Sequence, residues 1–398
     1  MICNLSKQKI NQFMTFGKMP ISNGFIDKKD FSNEFFFEMK VGFSEKISLF
    51  QLMEHPKPEM MFNNNYPFFT SSSKFMVNHF KNYADWIKKE YINNTNNLIE
   101  IGSNDGTFLK NFSNNEISVF GFEPSSNVSR IAKKNGINSL NEFFNSNNIN
   151  NYRYLINNTD IICAANVICH IPDLEDLFKT IDNCLNKKGL FIFEEPYLGS
   201  MFNKVSYDQI YDEHIYIFSV TSVNNICKLF DLELINVLPQ ETHGGSIRYV
   251  CARKKQYEIN KSVIKKLDEE IKLNLDNINS CLNFKKNCEI SKKKLIDKIK
   301  KIKEQKKTIC GYAATSKSTT ILNYCDIDNK DIDYICDTTP EKIGKFSPGK
   351  HIPIKSMNHF YSNPPDVVFL FAWNHKKEIF EKEKKFSEKG EWIAHVKI

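Results

Sequence analysis

The sequence predicts an α/β protein in which a small N-terminal module precedes two doubly wound sheets. Three observations support this prediction. Strand-like and helical segments alternate between residues 76 and 254, a second alternating series fills residues 308–398, and residues 1–75 form a short, aromatic, turn-rich segment. Strands that alternate with helices indicate parallel sheets, because each helix returns the chain to the same end of the sheet. A chain of 398 residues is also long enough for two or three domains.

The first α/β series begins with a helical stretch at 74–90, and four apolar runs then predict strands. These runs are NLIEI (97–101), SVFGF (118–122), DIICAANVI (160–168) and GLFIFEEP (189–196), with helical segments between them. We therefore expect one domain over residues 76–254, with its ligand site at the carboxyl ends of the strands.

A Lys-rich segment separates the two series. Residues 253–307 contain 18 Lys and Arg against 8 Asp and Glu, while the whole chain has a net charge of only +7. Apolar residues also recur in this segment at helical spacing, from Ile264 to Ile302. The basic excess therefore predicts the solvated face of a helical connector over 255–307, and we expect no nucleic acid partner.

The second series predicts a further α/β domain over residues 308–398. Its segments are TICGYAA (308–314), the helix STTILNY (318–324), DIDYICD (331–337), HIPI (351–354) and DVVFLFAW (366–373). The two series share a pattern of elements but no repeated sequence.

The chain lacks the patterns of secreted and membrane proteins. No N-terminal stretch resembles a secretory signal, and no run approaches the roughly 18 apolar residues that span a bilayer. The 11 Cys are scattered without a CxxC pair, which favours reduced thiols in the core. We expect a cytoplasmic monomer with no membrane partner.

The strongest motif is the turn E100-I-G-S-N-D-G106, which follows the first strand of the central domain. Gly102 and Gly106 would let the backbone approach a ligand closely. A nicotinamide dinucleotide would need a second glycine where Asn104 stands, and Asp105 would repel its pyrophosphate. S-adenosylmethionine (SAM) instead carries cationic groups that Glu100 and Asp105 would attract. The turn therefore predicts SAM as the cofactor and S-adenosylhomocysteine as its product.

The next two strands offer further ligands at the same edge of the sheet. The strand after the turn ends at Glu123-Pro124, where the carboxylate is placed to bind two ribose hydroxyls. The third strand ends near Asn166 and His170. A strand–turn–helix unit without any ligand is the alternative.

The stretch Y211-D-E-H214 sets a separate question. A Glu and a His stand next to each other, in a chain with only 9 His. By themselves, these residues are consistent either with an acid–base cluster or with an ordinary buried turn.

The chain resembles the sugar C-methyltransferases that act on nucleotide-linked 4-keto-deoxy sugars. The resemblance runs nearly end to end and rests on motifs in the same order: FGKMPISNGF (16–25), NYPFFTSSS (65–73), EIGSNDG (100–106), ANVICHIPD (165–173), EPY (195–197), YDEH (211–214), THGGSIR (242–248), GYAATSK (311–317), PGKHIPI (348–354) and AWN (372–374).

The resemblance implies three parts with distinct roles. They are a small N-terminal module that usually holds zinc, a central class I methyltransferase domain with a Rossmann-like doubly wound sheet, and a C-terminal Rossmann-like α/β domain. It further implies a SAM-dependent methyltransferase whose substrate is a nucleotide-diphosphate sugar. In such enzymes the His of the Y-x-E-H motif removes the proton at C3 of a 4-keto-6-deoxy sugar, which assigns the base to His214.

The neighbouring residues then have expected roles. Removing a proton next to a ketone leaves an enolate, and His suits this step because its ordinary pKa lies near working pH. Glu213 could hold a sugar substituent, Tyr211 could donate to the developing oxyanion, and His170 is a second candidate donor. Tyr66 could close the pocket. A helix-start cap for His170 and core packing for Tyr66 remain open alternatives.

Substrate-binding candidates come from two further motifs. His243 and Ser246 could belong to a tight turn, or to a turn whose backbone faces a phosphate with Arg248 as charge partner. Lys317 lies at a predicted helix start, where it could contact a nucleotide or remain on the surface.

The chain departs from the family pattern in the N-terminal module. The family has two CxxC pairs, which here become Cys3-x-x-Ser6 and Ser44-x-x-Ile47. One Cys cannot form a four-ligand zinc site. We therefore predict that structural zinc is absent, and we assign no metal ligand elsewhere.

Two other functions remain open at this point. The chain could transfer the methyl group to oxygen or nitrogen of a nucleotide-linked sugar, with His214 deprotonating a hydroxyl or an amine. It could also be a catalytically inactive protein that binds SAM or a nucleotide sugar.

Overall fold

The computed structural model describes residues 1–64, 66–92, 97–112 and 117–398, in which the strands form three sheets. The N-terminal module contains β1 (Asn11–Pro20), β2 (Phe36–Ser44), β3 (Leu49–Leu52) and the short helix α1 (Pro58–Met61). These strands pair antiparallel in chain order. Asn65, the first residue of the NYPFFTSSS motif, lies outside the described residues.

The central domain alternates helices and strands. Its elements are α2 (Lys74–Tyr91), β4 (Asn97–Ile101), β5 (Ser118–Phe122), α3 (Ser126–Lys134), β6 (Ser139–Leu140), α4 (Ser146–Ile149), β7 (Thr159–Ala165), α5 (Leu174–Cys184), β8 (Leu185–Pro196), α6 (Leu198–Lys204), β9 (Tyr216–Ile217), α7 (Val220–Leu229), β10 (Leu232–Gln240) and β11 (Ser246–Arg253).

Seven of these strands form one sheet in the order β6-β5-β4-β7-β8-β11-β10. β11 runs antiparallel to both of its neighbours, whereas the other pairs are parallel. This is the class I methyltransferase arrangement, and it confirms the predicted fold class. The reversed strand was not predicted. It follows from the short connection between β10 and β11, since antiparallel strands can be joined by a tight turn.

Both faces of this sheet are buried. Along β8, Leu190 and Ile192 pack into the cluster that contains α2, while Phe191 and Phe193 pack into the cluster that contains α5 and α7. Side chains alternate between the faces of a strand, so a continuous apolar run supplies both layers. The 11 Cys are all buried with free thiols.

The N-terminal sheet takes its fourth strand from the central domain. β9 pairs antiparallel with β3, placing Ile217 opposite Phe50 and Tyr216 opposite Gln51. Since β9 begins two residues after His214, the N-terminal module is hydrogen-bonded to the segment that carries the candidate base. The sequence-based boundary at residue 75 therefore does not separate two independent sheets.

The C-terminal domain has an all-parallel sheet in the order β14-β13-β12-β15-β16. Its elements are β12 (Ile309–Tyr312), α10 (Ser316–Cys325), β13 (Tyr334–Asp337), β14 (Ile354–Ser356), α11 (Met357–Ser362), β15 (Val367–Leu370), α12 (Lys376–Lys382), α13 (Lys384–Ser387) and β16 (Glu391–Ile393). The strand order reverses between β12 and β15, which opens a crevice at their carboxyl ends.

The connector consists of α8 (Lys261–Lys272) and α9 (Ile278–Glu304). The predicted apolar stripe holds only in part. Leu267 and Leu275 pack into the core, but Ile264, Ile271 and Leu282 are exposed and Glu270 is buried. Glu270 accepts hydrogen bonds from the first N–H groups of α7, so a capping carboxylate replaces apolar packing there. Within the described ranges, no helix combines the length and apolar character that crossing a bilayer requires.

The zinc-type positions of the N-terminal module do not form a metal-ligand set. Ser6 Oγ lies 3.0 Å from Ser44 Oγ, and the Ser6 N–H donates to Cys3 Sγ at 3.5 Å. Ile47, three residues after Ser44, is buried. One thiol, two neutral hydroxyl groups and an alkyl side chain do not match the four nitrogen or sulfur ligands of structural zinc. The residues present therefore do not fit the metal.

We predict that the purified protein contains no stoichiometric zinc and that EDTA leaves its melting temperature unchanged, because this module is held by packing and hydrogen bonds. Elemental analysis and thermal unfolding check both statements. One zinc per chain that disappears in Cys3→Ala, together with a fall in melting temperature, would contradict them.

Candidate active site

A cavity of about 1350 Å³ lies where the carboxyl ends of the central and C-terminal sheets face each other. β4, β5 and β7 end at one wall, and β12, β13 and β15 end at the other. The sequence-predicted residues that line it are Tyr66, Glu100, Gly102, Asn104, Glu123, Pro124, Asn166, His170, Tyr211, Glu213, His214, His243 and Lys317. Residues far apart in the chain thus meet in one cavity.

The carboxyl ends of β4 and β7 leave polar atoms for a ligand. Glu100 Oε2 and Asn166 Oδ1 are buried and have no hydrogen-bond partner among the described residues. Burial, followed by the charges of Asp105 and Glu123, raises the pKa of Glu100 well above its usual value. Because unpartnered buried polar atoms are costly, these two atoms fit a ligand that donates hydrogen bonds.

Backbone geometry keeps this wall open. Gly102 has a φ of +67°, and a Cβ at this position would overlap the side chain of Val167. Glu123 is held at the next strand end, where its carboxylate accepts from the N–H groups of Asn104 at 3.0 Å and Ser125 at 2.7 Å. The remaining lone pairs of that carboxylate can accept hydrogen bonds from hydroxyl groups.

His214 is held as a neutral imidazole. Its Nδ1 lies 2.7 Å from the Gln209 carbonyl oxygen, and its Nε2 lies 2.7 Å from the Tyr211 hydroxyl. A carbonyl only accepts, so Nδ1 carries the proton and Nε2 accepts from Tyr211. Burial, reinforced by His170 and His243, lowers the pKa of His214 well below its usual value. The unprotonated Nε2 is therefore able to accept a proton.

His170 lies against His214. Its ring stacks on His214 at a centroid distance of 5.4 Å and on Phe62 at 5.5 Å. Its Nε2 has no partner among the described residues, and burial lowers its pKa to about 3. The His170 ring therefore faces the cavity as a second neutral imidazole.

Glu213 points into the cavity from the same turn. Its Oε1 accepts a hydrogen bond of 2.6 Å from Asn23 Nδ2, and the Tyr66 hydroxyl is a further partner. Burial and the neighbouring Asp212 raise the pKa of Glu213 to about 8. A carboxyl group that holds its proton near neutral pH can donate as well as accept.

Known protein families match the chain in three successive parts. The matching family descriptions are "Putative zinc binding domain" for residues 3–62, "Methyltransferase domain" for residues 77–237 and "C-methyltransferase C-terminal domain" for residues 241–396. A curated relative, the C-methyltransferase NovU of Streptomyces niveus, is 26% identical over 383 residues, covering 95% of this chain and 90% of NovU.

Two of the three matching families describe methyltransferase domains, and they cover residues 77–237 and 241–396. The chain is a methyltransferase, as the resemblance implied.

Solved structures similar to this methyltransferase cover only part of it. Magnesium protoporphyrin IX methyltransferase from Synechocystis, solved with bound SAM, is 11% identical and covers 45% of this chain and 79% of its own, with a TM-score of 0.33. A SAM-dependent methyltransferase from Thermotoga maritima is 20% identical and covers 46% of this chain and 92% of its own, with a TM-score of 0.34.

The far wall of the cavity belongs to the C-terminal domain of the methyltransferase. Lys317 is buried at the start of α10, where its Nζ donates to Asn374 Oδ1 at 3.2 Å and lies 5.0 Å from the Trp373 ring centre. His243 lines the cavity from the loop between β10 and β11, with a φ of +52°. Lys317 therefore lines the far wall, and His243 reaches the same cavity from the central domain.

Asp105 and Gly106 do not line the cavity, so their predicted role as cofactor ligands is corrected. The Asp105 carboxylate accepts from the Ser71 N–H at 2.9 Å and from Thr107 Oγ1 at 2.7 Å. Gly106, with a φ of +79°, packs beside Ile137. The turn directs both residues away from the cavity, where they fix its shape and attach the aromatic segment that precedes α2.

The predicted roles of Arg248 and Ser246 in substrate binding are also corrected, because neither residue lines the cavity. Arg248 forms a buried ion pair with Glu194, and its guanidinium lies 3.8 Å from the Tyr83 ring centre. Burial raises the pKa of Glu194, but His79 and Arg248 outweigh that effect and leave it below its usual value. Ser246 Oγ donates to the Thr242 carbonyl oxygen at 3.0 Å.

Three possible metal ligands, Cys169, His170 and His214, have donor atoms within 4.8 Å of one another. The present arrangement does not favour metal binding. Both nitrogens of His214 already have partners, and burial together with Glu195 raises the pKa of the Cys169 thiol well above its usual value. Metal binding requires free lone pairs and a thiolate.

Sequence reasoning missed two residues that shape the active site. Glu195 Oε1 accepts from the N–H groups of Val167, Ile168 and Cys169, and so fixes the segment that ends in His170. Asn23 contacts Glu213 from the N-terminal module. Both lie inside motifs that carried the family resemblance, but the sequence gives no sign of their long-range contacts.

We predict that Arg248→Met lowers the free energy of unfolding of the methyltransferase by about 3 kcal/mol, because the buried Glu194 would lose its guanidinium partner and keep only the contact with His79. Urea unfolding measures this change. Lys40→Met, which breaks the exposed pair with Glu54 at 3.4 Å, is the control and should cost under about 1 kcal/mol. Unchanged stability in Arg248→Met, with a loss of substrate binding, would instead support the role predicted from the sequence.

Proposed function

We propose that the methyltransferase transfers the methyl group of SAM to C3 of a nucleotide-linked 4-keto-6-deoxy sugar. One observation carries this proposal. His214 lines the cavity between the two sheets as a neutral imidazole with an unprotonated Nε2. A carbon-bound proton next to a ketone needs such a base, whereas an already activated methyl donor needs no metal. The similarity to a C-methyltransferase over 95% of the chain supports transfer to carbon.

The donor half of the site fits SAM by its chemistry. Glu100 and Asn166 present unpartnered oxygen atoms, which suit the amino group of the methyl donor. Glu123 stands at the end of β5, where its carboxylate can bind the ribose hydroxyls, and Gly102 lets the backbone come close. SAM, when bound, supplies a methyl group on a positively charged sulfur.

The acceptor half fits a nucleotide sugar. Lys317 lines the far wall together with Thr315 and Ser316 at the start of α10, and His243 lines the same cavity. Cations and helix N-termini bind phosphate groups. We assign the nucleotide diphosphate to this wall and the sugar ring to the region of His214.

Proton removal is the step that these residues perform. His214 Nε2 takes the C3 proton of the sugar, and the C3–H electron pair moves into the ring to form the enolate of the 4-keto group. Binding of the sugar displaces the Tyr211 hydroxyl from Nε2, which frees this hydroxyl to donate to the developing oxyanion, and His170 is a second candidate donor. The enolate carbon then bonds to the methyl carbon as the sulfur–methyl bond breaks, which leaves S-adenosylhomocysteine as the product.

Product analysis tests the site of transfer. The enzyme is incubated with SAM and a small panel of nucleotide-linked 4-keto sugars, and the products are identified by mass and NMR. The proposal expects a methyl group on carbon. A methyl group on oxygen or nitrogen would support the alternative transfer, and the absence of methylation across the panel would support an inactive binding protein.

We predict that the enzyme exchanges the C3 hydrogen of a 4-keto nucleotide sugar with deuterium in D2O when SAM is omitted. The exchange should fall about 10²–10⁴-fold in His214→Ala, since a positioned base contributes this much. NMR of the recovered sugar measures it. His55→Ala, outside the cavity lining, is the control and should exchange like the wild type. Undiminished exchange in His214→Ala would show that His214 is not the base.

A further inference from the structure

The loop after β1 brings a second module into the active site. Asn23 lies in this loop, lines the cavity and donates to Glu213 Oε1 at 2.6 Å. The adjacent Ser22 N–H donates to Asp212 Oδ1 at 3.1 Å. Ser22 and Asn23 of the N-terminal module therefore contact Asp212 and Glu213, the two residues that immediately precede His214.

The loop is also attached to the C-terminal domain. Thr319 Oγ1, on α10, donates to the Ser22 carbonyl oxygen at 2.8 Å. Within the loop, the Gly24 N–H donates to the Ile21 carbonyl oxygen at 3.0 Å. Ser22 and Gly24, on either side of Asn23, are both held by hydrogen bonds. The Asn23 amide therefore cannot easily follow Glu213 if the carboxyl group rotates.

Glu213 needs such a partner because of its surroundings. It is almost fully buried, next to Asp212, which is 1% exposed. The titratable and charged groups that face it from the elements around it are Asp212, Tyr66, Tyr211, Cys169 and Lys342. Lys342 Nζ donates to the Ala314 carbonyl oxygen at 2.9 Å, whereas Asn23 and the Tyr66 hydroxyl hydrogen-bond to Glu213 and constrain its carboxyl group.

We propose that Asn23 is a positioning residue of the active site, which holds the Glu213 carboxyl group toward the sugar by donating a hydrogen bond from its amide. This proposal rests on the proposed methyl transfer. With Asn23 in place, Glu213 presents its second oxygen to a hydroxyl or amino group on the sugar ring. The N-terminal module then contributes to the reaction itself as well as to the fold.

The test uses Asn23→Asp in the full-length enzyme. The substitution keeps the shape of the side chain but replaces the donor with a carboxylate. At alkaline pH, where both carboxyl groups are ionised, methyl transfer should fall about 10–100-fold relative to the wild type. Activity should recover as the pH is lowered toward neutral, because one proton shared by the two carboxyl groups restores the hydrogen bond. Asn23→Ala should show the loss without this recovery.

Asn11→Asp is the matched control. Asn11 Nδ2 donates to Glu45 Oε1 at 2.8 Å, which is the same kind of contact in the same module but on its exposed face. This variant should keep the wild-type rate and pH profile. Wild-type behaviour of Asn23→Asp, or the same pH recovery in Asn23→Ala, would overturn the proposal.

A second measurement needs no turnover. Infrared difference spectra, referenced to Glu213→Gln, follow the titration of the buried carboxyl groups in the free enzyme. Asn23→Asp should raise the pKa at which Glu213 titrates, because a second carboxylate faces it, and an unchanged titration would overturn the proposal. If the wild type transfers no methyl group to any sugar of the panel, the proposed function fails, and this titration still decides whether Asn23 holds Glu213.

Discussion

The organisation of the active site depends on keeping one buried imidazole uncharged. His214 is buried, which disfavours a protonated ring, and its Nδ1–H donates a hydrogen bond to the Gln209 carbonyl oxygen. The only lone pair of the ring that can act as a base is then at Nε2. Under the proposed function, the substrate proton is delivered to this nitrogen, and the neighbouring His170 and Tyr211 lie around it.

Three modules are needed to enclose this imidazole. The central domain supplies the turn that carries it, and β9, directly beyond that turn, is bonded into the N-terminal sheet. The aromatic segment before α2 is attached to the donor turn through the Ser71 N–H and Asp105. The C-terminal sheet closes the other wall. An N-terminal module without zinc ligands therefore still has a defined position, because hydrogen bonds to the other two modules hold it.

Much of the fold could be predicted from the sequence, because local patterns determine it. Apolar runs such as GLFIFEEP fill both faces of a parallel sheet, and the carboxyl ends of parallel strands lie at one edge, so Glu100, Glu123 and Asn166 could be placed together from sequence alone. The family resemblance added His214 and the C-terminal wall.

The errors concern contacts that only strand pairing and tertiary packing create. Arg248 and Glu194 are opposite each other because β11 inserts next to β8, and no local pattern predicted that reversed strand. Asp105 faces the aromatic segment, although its charge alone suggested a methyl-donor ligand. Asn23 lies 190 positions from Glu213 in the chain. A contact over that distance requires the arrangement of all three modules.

The most direct test of this account is a crystal structure of the enzyme with S-adenosylhomocysteine and a nucleotide-linked 4-keto sugar. The account predicts C3 of the sugar within about 3–3.5 Å of His214 Nε2, with the donor sulfur on the opposite face of the ring. A sugar bound with a hydroxyl or amino group between His214 and the sulfur, or with C3 remote from the imidazole, would contradict it.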